Sequence, residues 1–243
     1  LRSIFIKELN TFFSSLTGYI SIVIFLLLTG LFLWVFSDTS IINYNYASLG
    51  QLFTIAPLVF MFLIPAITMS SFSDEKQRGT LELLVTKPLT DWDIVAGKYL
   101  AALALAIIAL IPTLIYYYSI VQLGSPKGNI DTGAVIGSYI GLIFLAGIFT
   151  SAGIFLSSIT SNQIVAFILT AFVCFLLFWA FDFLSATPLF FGKMDNFVKG
   201  LGIEFHYDNI SKGRIDTRDI FYFVSMIGLF LWLTIVSLDK RKW

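Results

Sequence analysis

Phe72–Lys98 reads FSDEKQRGTLELLVTKPLTDWDIVAGK, a polar insertion between two apolar stretches each long enough to cross a bilayer. It holds Asp74, Glu75, Lys76, Arg78, Glu82, Lys87, Asp91, Asp93 and Lys98, nine of the thirty Asp, Glu, Lys and Arg side chains in the chain. Charges are costly in hydrocarbon, so the insertion belongs in water beside the membrane. Gln77, Leu81, Leu84, Val85 and Pro88 share one helical face, while Glu75, Lys76, Arg78 and Glu82 lie mostly off it. The spacing predicts a short amphipathic helix ended by Lys87-Pro88, its apolar side on the spans and its charged side toward a partner. Thr90 or Asp91 then caps a new helix ahead of Ile94. A plain re-entry loop fits the pattern equally well.

Composition sets the class. The chain has 243 residues, 58% hydrophobic and 12% charged; soluble domains carry about 25% charged residues. With a mean hydropathy of +0.89, an integral membrane protein in contact with lipid is expected. The formal net charge of zero decides nothing about nucleic acid, but no basic block appears, and no nucleic-acid partner is expected. Cys174 stands alone and excludes an intramolecular disulfide.

Outward from the insertion, the apolar runs predict six spans in one transmembrane domain, 1–243. Leu1, Phe5, Leu9, Phe12, Phe13 and Leu16 form a helical stripe opposite Arg2, Lys7, Glu8 and Asn10, which predicts an interfacial helix over 1–16. Gly18–Phe36 is the first span; it lacks a cleavage signature and is expected to be permanent. Gln51–Ser71 is the second, with kinks expected at Pro57 and Pro65. Trp92–Gln122 is the third, broken at Pro112 and rich in small residues at its start. Thr132–Ser158 is the fourth, with Gly133, Gly137 and Gly141 spaced for tight helix contact within the chain or across a dimer. Ile164–Leu184 is the fifth and Ile220–Leu238 the sixth. Between these last two, 185–219 is expected to be an extracytoplasmic loop of short helices.

Six spans put both termini on one side. That side carries nine Lys and Arg, the opposite side six. The Lys240-Arg241-Lys242 cluster abuts the last span, while the first loop on the other side, with Tyr44 and Tyr46 in the headgroup belt, has no cation. The termini and the polar insertion are therefore expected in the cytoplasm.

No catalytic constellation is visible. There is no GxxxxGK[ST], no HExxH and no CxxC, and a lone His206 builds no metal site. An enzyme is not expected, and no metal or cofactor bound by this chain. Asp182, in WAFDFLS, is the one acid near a span: at its position an interfacial carboxylate is the simpler reading, a place on a translocation path the alternative.

The string EKQRGTLELLVTKPLTDWDIVAGKYLA, Glu75–Ala101, resembles the signature of ABC type-2 exporter permeases, in which an acid, an arginine, a Gly-Thr-Leu-Glu run, a Leu pair, a Pro and a later Gly-Lys recur at these spacings. SSITSNQIVAF at Ser157–Phe167 and LFLWLTIVSLDKRKW at the end agree. FHYDNISKGRIDTRDIFYF at Phe205–Phe223 is similar to the gliding-motility-associated ABC permease subunit of Bacteroidetes. The resemblance implies an all-α permease fold of six spans, an amphipathic N-terminal helix and a cytoplasmic coupling helix over 72–91. It implies a bacterial inner-membrane location and a dimer of cytoplasmic ABC ATPase subunits, which bind the ATP and Mg. It further implies a second permease copy, or a homologous membrane subunit with a periplasmic domain. Glu75, Arg78, Gly79, Thr80, Leu81, Glu82, Leu83, Leu84 and Pro88 would make the ATPase contact. No hydrophilic stripe lines any span, so a lipid-like cargo or a path between subunits is expected. The reading from another class is a membrane anchor for a motility or secretion machine that moves no substrate.

Overall fold

The computed structural model describes residues 1–44, 47–80, 90–186, 193–214 and 216–239. Among these, every regular element is helical, and six helices are long and apolar enough to cross a membrane: Leu16–Trp34, Gly50–Gln77, Asp91–Leu123, Thr132–Ile159, Gln163–Ser185 and Thr217–Asp239. The N-terminal helix, Arg2–Ser14, precedes them, and two short helices, Lys193–Lys199 and Ile203–Ser211, lie between the last two. Polar caps set the starts. Ser15 Oγ accepts from Gly18 N, Thr90 Oγ1 from Asp93 N, Asp131 Oδ1 from Ala134 N, and Asn162 Oδ1 from Ile164 N. Each satisfies a backbone donor that the first turn leaves unpaired.

The fourth span is the axis of the bundle, touched by the second, third, fifth and sixth; the first packs on the second. Its most apolar stretch is 78% buried, against 67% for the second and third and 22% for the other three. The inner three therefore meet protein, while the outer three keep apolar side chains such as Val23, Phe172 and Trp232 exposed. Close approach follows from small residues. A Cβ at Gly153 would stand 2.2 Å from Thr68 Oγ1 and 3.1 Å from Thr170 Cγ2, so spans two, four and five converge there.

The second span keeps both of its prolines inside one helix. Its helix runs unbroken from Gly50 to Thr68 through both Pro57 and Pro65, and the interruption comes at Met69. There Ser157 Oγ, from the fourth span, accepts from Phe72 N (3.0 Å) and Ser73 N (3.1 Å) and donates to Met69 O (3.0 Å). A side chain inserted into the i→i−4 ladder is a recognised cause of helix breaks. Pro57 is tolerated for a separate reason: it has no N–H for the carbonyl of Phe53, four residues earlier, and the Tyr207 hydroxyl donates to that oxygen at 2.7 Å. The third span is interrupted at Pro112, where Ile111–Thr113 forms a 3-10 turn, and the fifth loosens into a π turn over Leu176–Ala180.

Candidate functional site

The second span continues beyond Met69 as Ser70–Gln77, which carries the start of the polar insertion and packs its Ser71–Ser73 side against the fourth span. It ends in a Schellman motif: Thr80 N donates to Glu75 O (2.9 Å) and Gly79 N to Lys76 O (3.2 Å). Gly79 has φ +68°, and among the described residues nothing lies within 4 Å of a Cβ built there, so the backbone conformation is what calls for glycine. The Arg78-Gly79-Thr80 run thus stops one helix and redirects the chain into the rest of the insertion. Leu81, Glu82, Leu83, Leu84 and Pro88, and with them the amphipathic face through Val85, lie outside the described residues; so do Tyr46 and the Lys240–Lys242 cluster.

Just before that stop, three consecutive side chains each hold a different part of the bundle. Asp74 Oδ1 accepts from Gln163 Nε2 (2.7 Å), at the start of the fifth span, and from Arg78 Nε (2.9 Å). Lys76 Nζ donates to the carbonyl of Ser158, at the end of the fourth. Glu75 Oε1 takes Lys98 Nζ (3.1 Å), on the third span, and Lys7 Nζ (2.9 Å), on the N-terminal helix.

Lys98 is the centre of this cluster. Its side chain is 1% exposed, and Nζ reaches Glu8 Oε1 at 2.9 Å and the carbonyl of Ser71 at 2.6 Å. It also stands 4.9 Å above the Phe72 ring. Removing an ammonium from water costs several kcal/mol unless it is paired and hydrogen-bonded, and here two carboxylates and a carbonyl supply that pairing. Lys7, Glu8, Glu75 and Lys98 sum to zero charge. Burial pulls the Lys7 pKa down, but the hydrogen bond from Lys7 to Glu75 and the fields of Glu75 and Glu8 outweigh it, leaving the net shift upward from 10.5.

The N-terminal helix packs Leu9, Phe12 and Phe13 of its predicted stripe on the core, and supplies its part through residues at the edge of that stripe. Ile4, next to the apolar stripe, is the residue it buries, seated where a Cβ on Gly97 would be 3.0 Å from Ile4 Cβ. Glu8, expected on the polar side with Lys7, turns inward. Docking on the third span's small residues rotates the helix toward Ile4 and Glu8, because the buried Lys98 needs an anion there. Gly97-Lys98 was visible as a lone cation in an Ala-rich helix; its partners, 90 and 23 residues away in sequence (98 − 8 and 98 − 75), were not.

The other predicted residues sit at the opposite end of the bundle. A Cβ on Gly137 would lie 3.2 Å from the Gly213 Cα, and one on Gly141 3.1 Å from Ile210 Cγ2, so both receive the Ile203–Ser211 helix and its following turn. Among the described residues, a Cβ on Gly133 would meet Asp131 Oδ1 alone, at 3.3 Å. Asp182 is exposed there, across a cleft from Glu204 and Asp208. Partial burial, then the fields of Asp182 and Asp208, raise the Glu204 pKa above 4.5. His206 lies between Asp219 Oδ1 (2.6 Å) and the Gly200 carbonyl (2.9 Å), stacked on Tyr222 with ring centres 4.0 Å apart. These contacts fasten the loop helix to the sixth span. No cluster of three or more His, Cys, Asp or Glu with metal-site geometry occurs among the described residues.

No curated protein matches the chain at a significant level. The model of one protein family, described as ABC-2 family transporter protein, matches residues 2–243, nearly the whole length. That match joins the six apolar helices and the string Glu75–Ala101 in one account: the chain belongs to the ABC-2 transporter family, as a multi-pass membrane permease subunit of an ABC transporter.

Proposed function

We propose that this subunit serves an ATP-driven exporter, converting the closure of a cytoplasmic ATPase dimer into movement of the spans through residues 72–91. The observation that carries the reading is the buried Lys98 cluster. Glu75 belongs to the family-like string, and it is tied directly to the third span and the N-terminal helix. Asp74 and Lys76 are tied to the fifth and fourth spans. A displacement of the Arg78–Thr80 stop is thereby delivered to four elements through direct polar contacts, the kind of small interface shift that rebalances a packed bundle. Glu82 and the Leu81, Leu83, Leu84 and Pro88 positions complete the ATPase contact in this reading, with ATP and Mg held by the partner.

The excess of Lys and Arg on the N-terminal side supports an inner-membrane orientation with both termini cytoplasmic. The resemblance of Phe205–Phe223 supports a place in the gliding-motility system, beside a second permease copy or a homologous subunit with a periplasmic domain. Arg78→Ala and Glu82→Ala are expected to leave the protein in the membrane but reduce ATPase co-purification or uncouple hydrolysis from function. Unchanged assembly and coupling in both variants would refute the assignment. A hydrolysis-dead partner that assembles normally is expected to abolish function; if function persists, the subunit is an anchor that moves no substrate.

A further inference from the structure

A cleft of about 430 Å³ opens beside the Lys98 cluster, between the N-terminal helix, the second and third spans and the start of the fifth. Its size lies within the ~300–1,000 Å³ range of small-molecule sites. The wall changes character with depth. Lys7 and Arg78, 52% and 70% exposed, stand at the mouth, with Asp74 and the inward-turned Glu8 behind them. Ala66, Ile67, Ala101 and Leu105 line the inner part, one to three helical turns further into the spans. The cleft is therefore charged at the ends of the spans and apolar toward their middle.

The charge count narrows the occupant. The wall contributes Lys7, Arg78 and Lys98 against Glu8, Asp74 and Glu75, three cations and three anions. An anionic headgroup would leave an uncompensated charge in a partly desolvated space, whereas a zwitterion keeps the site neutral. Lys7 and Arg78 offer N–H donors for a phosphate. Asp74 and Glu8 are acceptors that call for a donor-bearing cation rather than a quaternary one. We infer that this cleft is a binding site for an aminophospholipid, its phosphate on Lys7 and Arg78, its ammonium toward Asp74 and Glu8, and an acyl chain along Ala66 and Leu105.

Native mass spectrometry of the full-length protein, extracted in mild detergent and offered equal amounts of dioleoyl phosphatidylethanolamine, phosphatidylglycerol and phosphatidylcholine, tests this. The ethanolamine lipid is expected to be retained at least fivefold over the choline lipid, and Ala66→Phe, which fills the apolar part, to reduce that retention at least fivefold. If Ala66→Phe does not purify as a monodisperse protein, Ser70→Leu, at an exposed position on the same wall, provides the same readout. Equal retention of the three lipids, preference for the glycerol lipid, or retention unaffected by the filling variant overturns the inference.

Discussion

Tyr207→Phe removes one oxygen from the protein, and the structure specifies what that oxygen does. The hydroxyl is the donor to Phe53 O at 2.7 Å, on a residue 5% exposed, and Phe53 O is the carbonyl that Pro57 deprives of its helical partner. Leaving a buried acceptor unpaired costs about 1–3 kcal/mol. Interhelical bonds within membranes measure lower, about 0.6 on average and up to about 1.7. The carbonyl sits on a buried residue, so the expected loss is in the upper part of that range, ~1–2 kcal/mol. The same geometry dictates a rescue. Pro57→Ala introduces an amide at position 57 that can donate to Phe53 O within the helix, so Tyr207→Phe in that background is expected to cost about 0.5 kcal/mol or less. Unfolding of the four proteins of this cycle, in one detergent–lipid mixture, gives a coupling of about 1 kcal/mol. Equal costs of Tyr207→Phe with and without Pro57 would show that the hydroxyl is not the proline's compensator.

Lys98→Met leaves Glu8 and Glu75 facing each other without their buried cation; one-sided loss of such a partner costs roughly 3–5 kcal/mol, reduced here because Lys7 stays on Glu75. A large fall in thermal stability is expected, partly restored by adding Glu8→Gln, and an unchanged unfolding temperature would contradict the pairing. Gly153→Ala drives a carbon to 2.2 Å from Thr68 Oγ1, itself bonded to Ile64 O; overpacking of about 1–3 kcal/mol should appear as a lower unfolding temperature and poorer membrane yield. Glu204→Gln should act in the opposite direction. The folded pKa of Glu204 is raised, so the folded state binds more protons than the unfolded state above pH 4.5, and stability falls as pH rises through the folded value. The variant should therefore melt higher than the parent at pH 7, with the gap closing toward pH 4.5, as scanning in buffers across that range will show.

Hydropathy was sufficient for the six spans because each must satisfy its own backbone in lipid and present apolar side chains over its full length. Caps at Thr90 and Asn162, the break at Pro112 and the short helices after Ser185 are likewise written in local residue chemistry. Helical periodicity also found the N-terminal helix, though it placed Glu8 on the wrong side. A stripe of Phe and Leu measures amphipathicity against a uniform medium, while the real surface offered a cavity at Gly97 and a cation at Lys98.

What the sequence by itself determined was the class of molecule, the number of spans and their approximate places along the chain. Only the tertiary structure decided what the polar insertion holds. Asp74, Glu75 and Lys76 are adjacent in the chain, yet their partners Gln163, Lys98 and Ser158 are 89, 23 and 82 residues away. The break at Met69 was equally hidden, since it depends on a serine 88 positions downstream rather than on either proline in the helix. Local pattern reports the cost of exposing or burying one segment. Hydrogen bonds and ion pairs in a dry interior depend on which segments meet, to within a fraction of an ångström, and only packing fixes that.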